Sequence, residues 1–416
     1  MAHIKPFKAL RPQAQFAKAV ASKPYDVLSS LEAKIEAEGN AASFLHITKA
    51  EIDLSESIDV HSETVYQKAK ENLSAFIQRG LLFRENKACF YIYQLVMQGR
   101  SQTGLVCVSS VDDYEKDVIK KHEFTRPEKE KDRIDHITTT GAQTGNVFLA
   151  YRNIKEIDTL IKKWKADKSP IYDFVAEDAV QHSIWVINDE DAVNKIMELF
   201  NTKVPCTYIA DGHHRAASAA KVRQALKKTS NHTDQQYPNA NYFLTTLFPA
   251  NQLHIMDYNR VVKDLNGLQP DELIKKIEKT FVIKPSTKAV KPKALHTFGM
   301  YVNNQWYTLQ AKEGTFKEDP IGILDVSILQ ENILHPLLDI KDQRTDKRID
   351  FVGGIRGLEE LEKRVNNGDA AIAFSLYPVT MNQLFDIADS GNVMPPKSTW
   401  FEPKLRDGLL THLIYE

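Results

Sequence analysis

The stretch YIADGHHRAASAAK (residues 208–221) decides the fold around it. Apolar residues run into an Asp-Gly turn, and an alanine-rich segment with high helix propensity follows. The stretch therefore predicts a strand that ends near Asp211 and a helix that begins just after Gly212. Aspartate is a good helix N-cap, and glycine lets a ligand approach the backbone closely.

The start of this helix holds three side chains that can carry positive charge, namely His213, His214 and Arg215. A helix N-terminus already carries about +0.5 elementary charge, so each cation there is disfavoured by about 0.3–1 kcal/mol. A bound phosphate would remove the conflict, because it would accept hydrogen bonds from free N–H groups and from the arginine fork. A capped helix whose basic side chains are solvated or paired with acids remains the alternative.

Two other chemistries are not favoured by this motif. Adjacent helical residues face different directions, so the paired histidines do not predict a metal site. The motif also lacks a serine or cysteine with a base beside it, which argues against a nucleophilic mechanism.

Composition limits the classes of protein further. The chain has 416 residues, enough for two or three domains, and a net charge of −1. This balance argues against a surface built for nucleic acid or for an acidic membrane. Three cysteines without a CxxC pair predict neither a disulfide framework nor a zinc site. No signal segment and no apolar run of about 20 residues is present, so we expect a cytoplasmic protein.

Hydrophobic periodicity predicts an α/β fold with some antiparallel pairing. Residues 62–83 have a helical period, and residues 88–97 and 104–111 predict two strands joined by the turn QGRSQT. The highly charged residues 112–136 are typical of a solvated helix. Residues 138–146 (TTTGAQTGN) predict a turn, and residues 227–240 predict a loop. A second α/β unit is predicted from about residue 265.

The motif IADGHHR resembles the phosphate-binding motif of the ParB/sulfiredoxin-like superfamily, and in particular that of its ADP/ATP-dependent free-serine kinases. Over nearly its full length the chain also resembles a bacterial family of unknown function, some members of which carry a ParB-like or chromosome-partitioning label. The matching segments are residues 4–12, 23–29, 102–133, 209–215, 344–354 and 394–409. The kinase resemblance covers roughly residue 105 to the end.

This resemblance implies three parts. Residues 1–104 would be an N-terminal extension packed on the core, and residues 105–260 a ParB/sulfiredoxin-like core that binds nucleotide phosphate. Residues 261–416 would be a C-terminal α/β domain that carries the loop PPKSTW. The glycines of DFVGG (350–354) have no chemical role that we can assign, and backbone geometry is the preferred explanation.

The resemblance also implies site residues. A carboxylate near the phosphate motif would accept the proton of the acceptor hydroxyl, and Glu123 with its neighbour His122 occupies that place. Asp211, Gly212, His213, His214 and Arg215 would bind the nucleotide phosphate. Lys397, Ser398 and Thr399 would bind the acceptor.

Each of these assignments has a structural alternative. Glu123 is one acid in a charged run, and residues 394–403 are rich in proline, as surface loops are. The segment GNVMPPKS (391–398) has near P-loop spacing, but Pro396 stands at the second glycine position. Proline has no N–H group and cannot adopt a positive φ, so a P-loop is excluded. The turn at 138–146 would line the nucleotide pocket near Gly141 and Gly145, although an ordinary turn is the simpler reading.

The function predicted from these residues is a nucleotide-dependent small-molecule kinase acting on a hydroxyl, with free L-serine as one acceptor. Its cofactors would be ADP or ATP with Mg²⁺ held mostly by the nucleotide phosphates, because no protein ligand set stands out. Its partners would be a nucleotide and a small hydroxyl compound, without nucleic acid or membrane, and the oligomeric state stays open.

Three alternatives belong to other classes. A nucleotide-binding regulator would keep the 211–215 site without turnover. A ParB-like DNA-binding protein needs a basic helix-turn-helix after the motif, and the sequence there does not predict one. Sulfiredoxin chemistry needs a cysteine within the motif, whereas Cys206 lies five residues before Asp211.

Overall fold

The computed structural model describes residues 1–229 and 236–415. The chain forms two compact units, one of Met1–Leu253 with Pro403–Glu416 and one of His254–Glu402. Both units combine helices with strands, which confirms the predicted α/β class. The finer division at residues 104/105 and 260/261 stays a prediction. Of the loop predicted at 227–240, residues 230–235 lie outside the described residues, whereas residues 227–229 are the end of a helix and residues 238–240 belong to a short 3-10 helix.

The strands, in chain order, are β1 (Ile4–Lys5), β2 (Leu10–Pro12), β3 (Leu82–Arg84), β4 (Phe90–Met97), β5 (Arg100–Ser110), β6 (Ile119–Lys120), β7 (Ala142–Gln143), β8 (Val147–Tyr151), β9 (Tyr172–Val175), β10 (Gln181–Ile187), β11 (Thr207–Asp211), β12 (Tyr242–Pro249), β13 (Ile255–Met256), β14 (Tyr258–Val262), β15 (Phe281–Ser286), β16 (Thr297–Val302), β17 (Gln305–Ala311), β18 (Ile349–Gly353), β19 (Ile372–Leu376), β20 (Trp400–Phe401) and β21 (His412–Leu413).

The α-helices of the first unit are α1 (Ala17–Val20), α2 (Ser30–Ala37), α3 (Leu45–Thr48), α4 (Glu63–Gln78), α5 (Val111–Glu115), α6 (Pro127–Thr140), α7 (Lys155–Asp167), α8 (Glu190–Lys203) and α9 (His213–Thr229). Those of the second unit span Pro270–Ile277, Asp325–Leu329, Glu359–Asn366 and Met381–Asp389.

The main sheet of the first unit has the strand order β6-β11-β8-β12-β5-β4-β10-β9, and β1 also pairs with β5. The pairs β6–β11 and β8–β12 are parallel, and the other pairs are antiparallel. The predicted hairpin is present, but its turn is only Gln98–Gly99, both with positive φ. Such a two-residue turn matches the strand twist, so β5 begins as early as Arg100.

The core of this unit lies where the sheet meets helices α7, α8 and α9. The alanines of the opening motif explain how α9 approaches the sheet so closely. Ala216, Ala219 and Ala220 are buried in that core, and their small side chains leave little distance between the helix and the strands. The predicted strand-turn-helix at 208–221 is therefore present, with the helix beginning at His213.

The charged stretch 112–136 departs from the prediction of one solvated helix. It forms α5, β6 and most of α6, and six of its charged or titratable side chains are buried, namely Asp113, His122, Glu130, Asp132, Arg133 and His136. Burial is possible because partners are present. Asp132 lies 2.6 Å from Arg133 and also accepts a hydrogen bond from the Tyr66 hydroxyl at 2.9 Å.

The turn predicted at 138–146 includes the end of α6 and all of β7. Thr138–Thr140 complete α6, and Gly141 ends that helix with a φ of +70°. Ala142–Gln143 form β7, which pairs with β21.

The second unit is built on an antiparallel sheet of order β15-β17-β16-β19-β14-β18, and β13 pairs with β20. The glycines of DFVGG have a steric reason here. A Cβ at Gly353 would lie 3.0 Å from the Trp400 ring, and one at Gly354 would collide with the Asp257 carboxylate. In the described residues, no helix has both the length and the apolar character needed to cross a bilayer.

Candidate active site

The parallel pair β6–β11 brings two loops of the first unit together. Thr207 pairs with Ile119 and Tyr208 with Lys120, so the residues after each strand meet at one edge of the sheet. His122 and His213 lie edge to face with ring centroids 4.5 Å apart. The Glu123 carboxylate, which is half-buried, lies 3.8 Å from Nδ1 of His213. The structure thus brings the predicted base beside the predicted phosphate motif.

Gly212 makes the junction between β11 and α9 possible. Its φ is +98°, and a Cβ at this position would lie 3.3 Å from the Val147 backbone. The pairing of β11 with β8 also shifts register between Ile209 and Asp211. The chain turns sharply into α9, whose first N–H groups have no acceptor within the helix.

Arg215 is buried and already ion-paired. Its Nη2 lies 2.8 Å from the Asp26 carboxylate and 4.0 Å from that of Asp211. Its Nη1 donates a hydrogen bond to the Asn146 carbonyl. Burial alone would lower the pKa of Arg215, but the carboxylates of Asp26 and Asp211 raise it well above its ordinary value. The guanidinium is therefore a permanent, largely compensated cation.

The two histidines of the motif do not add positive charge at neutral pH. Burial is the main cause that lowers the pKa of His213, which falls well below its ordinary value, and it also lowers the pKa of His214. Nε2 of His214 accepts a hydrogen bond from the Arg126 N–H at 3.0 Å. Burial likewise lowers the pKa of His122 to about 4.

At neutral pH the helix start therefore carries fewer positive charges than its three basic side chains can hold. The helix start holds one paired arginine and two neutral rings, so its charge alone does not require an anion. The prediction that residues 211–215 bind phosphate must rest on other features.

Acidic groups complete the electrostatics of the site. Burial opposes ionisation of Asp211, but Lys404, whose Nζ lies 3.4 Å from Oδ2, and Arg215 together bring the pKa of Asp211 well below its usual range. Asp407 is buried as well, and burial raises its pKa to about 7 although Arg215 lies near. The N–H of Tyr25 donates to this carboxyl group.

Several buried polar atoms at the site have no hydrogen-bond partner among the described residues. They are Nε of Arg215, Oδ1 of Asn146 and Nδ1 of His122. A buried polar atom without a partner is costly, so such atoms indicate a place where a ligand or a water belongs.

A cavity of about 20 Å³ adjoins Arg215 and is lined in part by Tyr25, Arg133, Thr144 and Gly145. It has room for about one water molecule, not for a nucleobase. Of the two glycines predicted near a nucleotide pocket, Gly145 lines this cavity, and a Cβ on it would lie 3.0 Å from Cδ of Arg215.

The predicted acceptor residues Lys397, Ser398 and Thr399 belong to the second unit. Lys397 has a φ of +57°, and its Nζ lies 5.9 Å from the centroid of the Tyr258 ring. Ser398 is buried, and its hydroxyl donates to the Pro395 carbonyl at 2.6 Å. Throughout residues 1–229 and 236–415, no three His, Cys, Asp or Glu side chains are grouped as metal ligands.

Sequence reasoning missed the residues that surround Arg215 from elsewhere in the chain. They are Tyr25 and Asp26 before the core, and Lys404 and Asp407 near the C-terminus. A signal was available for all four, because the segments 23–29 and 394–409 both carry the family resemblance. Spacing could not connect them to a motif about 190 positions away.

The chain belongs to the family described as "protein of unknown function (DUF1015)", which matches residues 4–327. A search of the curated proteins found no match. Three solved structures illustrate the similarities found. A conserved hypothetical protein from Pyrococcus furiosus has 15% identity and a TM-score of 0.36, with 74% of this chain and 94% of that chain covered.

The second is a free serine kinase in complex with AMP, with 12% identity, a TM-score of 0.35, and coverage of 74% of this chain and 92% of that one. The third is SbnI with a C-terminal truncation from Staphylococcus aureus, with 10% identity, a TM-score of 0.37, and coverage of 73% and 85%. TM-scores below 0.5 give these similarities no weight for the fold or function of this chain.

Proposed function

We propose that this protein is a nucleotide-dependent small-molecule kinase that transfers a phosphoryl group from ADP or ATP to a hydroxyl group. The observation that carries the proposal is the position of the Glu123 carboxylate, 3.8 Å from a neutral His213 at the start of α9. A proton acceptor and a helix N-terminus with a fixed arginine are the two parts that phosphoryl transfer to a hydroxyl needs.

The residues of the helix start suit a phosphate group. When bound, the nucleotide supplies the transferable phosphoryl group. The first N–H groups of α9, which have no acceptor within the helix, and the unpartnered Nε of Arg215 provide hydrogen-bond donors for an oxyanion. Mg²⁺ would be held mostly by the nucleotide phosphates.

Glu123 acts in this proposal as the general base that accepts the hydroxyl proton on Oε2. The two buried histidines beside it are neutral at pH 7, so no imidazolium lowers its basicity. His213 positions Glu123, and His122 supports His213 through the edge-to-face contact. Lys397, Ser398 and Thr399 would bind the acceptor, with free L-serine as the first compound to test.

We also assign residues 105–260 to the ParB/sulfiredoxin-like superfamily on the motif IADGHHR, with the N-terminal extension and the C-terminal domain as predicted. A specific observation favours a second function, a nucleotide-binding regulator without turnover. Arg215 is already paired with Asp26, so nucleotide binding would have to compete with a carboxylate of the chain itself. A contact of this kind is typical of a switch.

Phosphoryl transfer from ADP and from ATP, with Mg²⁺, to a panel of amino acids and small hydroxyl compounds tests the proposal. Glu123→Gln should reduce the rate about 10²–10⁴-fold, because the hydroxyl proton loses its acceptor. Glu128→Gln is the matched control, since it neutralises an exposed acid of the same charged segment. Equal rates for both variants, or nucleotide binding without any transfer, would contradict the kinase and favour the regulator.

A further inference from the structure

The second unit contains a buried arginine whose charge is not compensated. Arg260, on the sheet strand β14, has 0% of its surface exposed. The other buried arginines are Arg133, Arg215, Arg223 and Arg406, and each of them pairs with an aspartate or glutamate. Over the described residues 1–229 and 236–415, Arg260 forms no ion pair. This contrast within one chain identifies Arg260 as the exception that needs a reason.

The neighbours of Arg260 are carbonyls, an amide and an aromatic ring. Its Nη1 donates to the Tyr258 carbonyl, its Nη2 to the Pro396 carbonyl at 3.3 Å, and its Nε to the Gln343 amide oxygen at 3.4 Å. The last two hydrogen bonds are longer than the usual ~2.9 Å, so they are weak. Burial without an anion also lowers the pKa of Arg260 to about 10.

The acid closest in sequence does not neutralise this charge. The Asp257 carboxylate accepts a hydrogen bond from the Asn259 amide at 2.7 Å, and it lies against Gly354. Asn259 in turn accepts from the Leu376 N–H. Asp257 therefore pairs with Asn259 and not with Arg260.

A second cation, Lys397, belongs to the loop whose Pro396 carbonyl contacts Arg260. Lys397 directly follows Pro396, whose carbonyl rests on Arg260, and its side chain is exposed. Its φ of +57° is uncommon for a residue with a side chain, and strained backbone is typical of ligand-binding segments. The loop thus carries a lysine with a positive φ directly after the residue whose carbonyl contacts Arg260.

We propose that Arg260 and Lys397 form an oxyanion site in the second unit, which takes the carboxylate or phosphate group of a small molecule. An oxyanion that replaces the Pro396 carbonyl would make charge-assisted, bidentate hydrogen bonds with the guanidinium, where the carbonyl makes one long bond. One part of this inference rests on the proposed function, namely that the anionic small molecule is the phosphoryl acceptor. The acceptor would then carry an acidic group besides its hydroxyl.

Trp400 offers a local readout of this site. It lies three residues after Lys397, and its ring contacts Tyr258 with centroids 5.0 Å apart. Titration of the full chain with inorganic phosphate, and separately with acetate, should give a saturable change in tryptophan fluorescence. The change should disappear in Trp400→Phe and in Arg260→Gln, weaken severalfold in Lys397→Ala, and persist in Arg215→Lys. The two anions distinguish a phosphate ligand from a carboxylate ligand.

The transfer assay supplies the second arm. Arg260→Gln should raise the KM of an acceptor that has an acidic group at least 10-fold and leave the KM of its neutral amide analogue unchanged. If Arg260→Gln fails to fold, the exposed Lys397→Ala gives the same test with a smaller effect. A fluorescence change that survives Arg260→Gln, or no change with either anion, would overturn the proposal.

The outcomes separate this inference from the proposed function. Transfer that needs Glu123 but has the same KM in Arg260→Gln would overturn the oxyanion site and support the kinase. A saturable fluorescence change that needs Arg260, in a protein without transfer activity, would support the site and contradict the kinase.

Discussion

Arg215 in the first unit and Arg260 in the second are both buried, but the neighbours of Arg215 include acidic groups and those of Arg260 are neutral. Arg215 lies among the carboxyl groups of Asp26, Asp211 and Asp407. Arg260 lies among the carbonyls of Tyr258 and Pro396 and the amide of Gln343. One guanidinium is compensated by the chain itself, and the other is only partly stabilised by neutral dipoles.

This difference has opposite consequences for an incoming anion. At Arg215 an anion must compete with the Asp26 carboxylate that is already in place. Only the molecules in which Asp26 has released Arg215 can bind the anion, so the apparent affinity for the anion is reduced in proportion to that fraction. At Arg260 an anion would supply charge that the fold lacks. We therefore expect the largest effect from removal of each arginine, and the smallest from a substitution in the loop that covers Arg260.

Arg215→Met should destabilise the protein more than Arg260→Met does. The first change leaves the partly exposed carboxylates of Asp26 and Asp211 without their guanidinium, which costs about 2–3 kcal/mol, at or below the lower end for a broken buried ion pair. The second leaves orphaned carbonyls but no unpaired charge, and we expect a loss of about 1–2 kcal/mol. Urea unfolding of each variant measures the difference, and Asp26→Asn should rescue part of the Arg215→Met loss. Equal losses would remove the distinction between the two arginines.

Asp407→Asn should change how stability depends on pH. In the folded protein Asp407 keeps its proton up to about pH 7, whereas the unfolded chain releases it near pH 3.8. The free energy of unfolding of the wild type therefore falls as the pH rises from about 4 to 7, and the variant lacks this loss. The variant should gain on the order of 1–3 kcal/mol over the wild type across that window.

Asp325→Asn is the matched control in the second unit, because burial also raises the pKa of Asp325 to about 7. It should show the same pH trend without altering nucleotide affinity. Thermal unfolding between pH 4 and pH 8 checks both variants, and a constant difference from wild type would contradict the assignment.

Asp26→Asn should strengthen nucleotide binding. The Asp26 carboxylate is 37% exposed and pairs with Arg215 at 2.8 Å, so its removal frees the guanidinium at moderate cost. We expect the Kd for ADP to fall about 3- to 10-fold, as the competent fraction rises. Isothermal titration calorimetry measures the change, with Asp59→Asn as an exposed control in the same N-terminal region. A weaker Kd would mean that Asp26 helps to hold the ligand.

Lys397→Gly should have the smallest effect on stability. Glycine adopts a φ of +57° without steric cost, so we expect a gain of about 0.5–1 kcal/mol, partly offset by the greater freedom of the unfolded chain. Lys397→Val should lose stability, since a β-branched residue tolerates this backbone poorly. Thermal melts of the three proteins give the order, and a loss in Lys397→Gly would show that the loop is not strained.

The elements of the fold that could be predicted are those that a local pattern specifies. The alanines at 216–220 predicted a closely packed helix, and the alternation at 88–111 predicted the hairpin, because each pattern acts within a few residues. The charged stretch at 112–136 misled for a physical reason. Burial of Asp132 and Arg133 depends on partners such as Tyr66, which no local pattern reveals.

The candidate site was predictable in part for the same reason. The motif at 211–215 and the acid at 123 follow neighbouring parallel strands, and the resemblance identified them as one site. The charge of the site could not be predicted from the sequence. The pKa values of His213 and His214 depend on burial, and the charge on Arg215 is balanced by Asp26. Arg260 was missed because its distinguishing property is the lack of an acid nearby, and only coordinates reveal that.

The path of the chain has a consequence for biosynthesis. Residues 403–415 belong to the first unit, where Lys404 compensates Asp211 and β21 pairs with β7, yet the ribosome makes them after the whole second unit. At a translation rate of ~5–20 residues per second, the motif waits about 10–40 s for its lysine. A messenger interrupted before codon 403 would encode the motif, the base and Arg215 intact. Its product would still lack Lys404, one of the two cations that lower the pKa of Asp211.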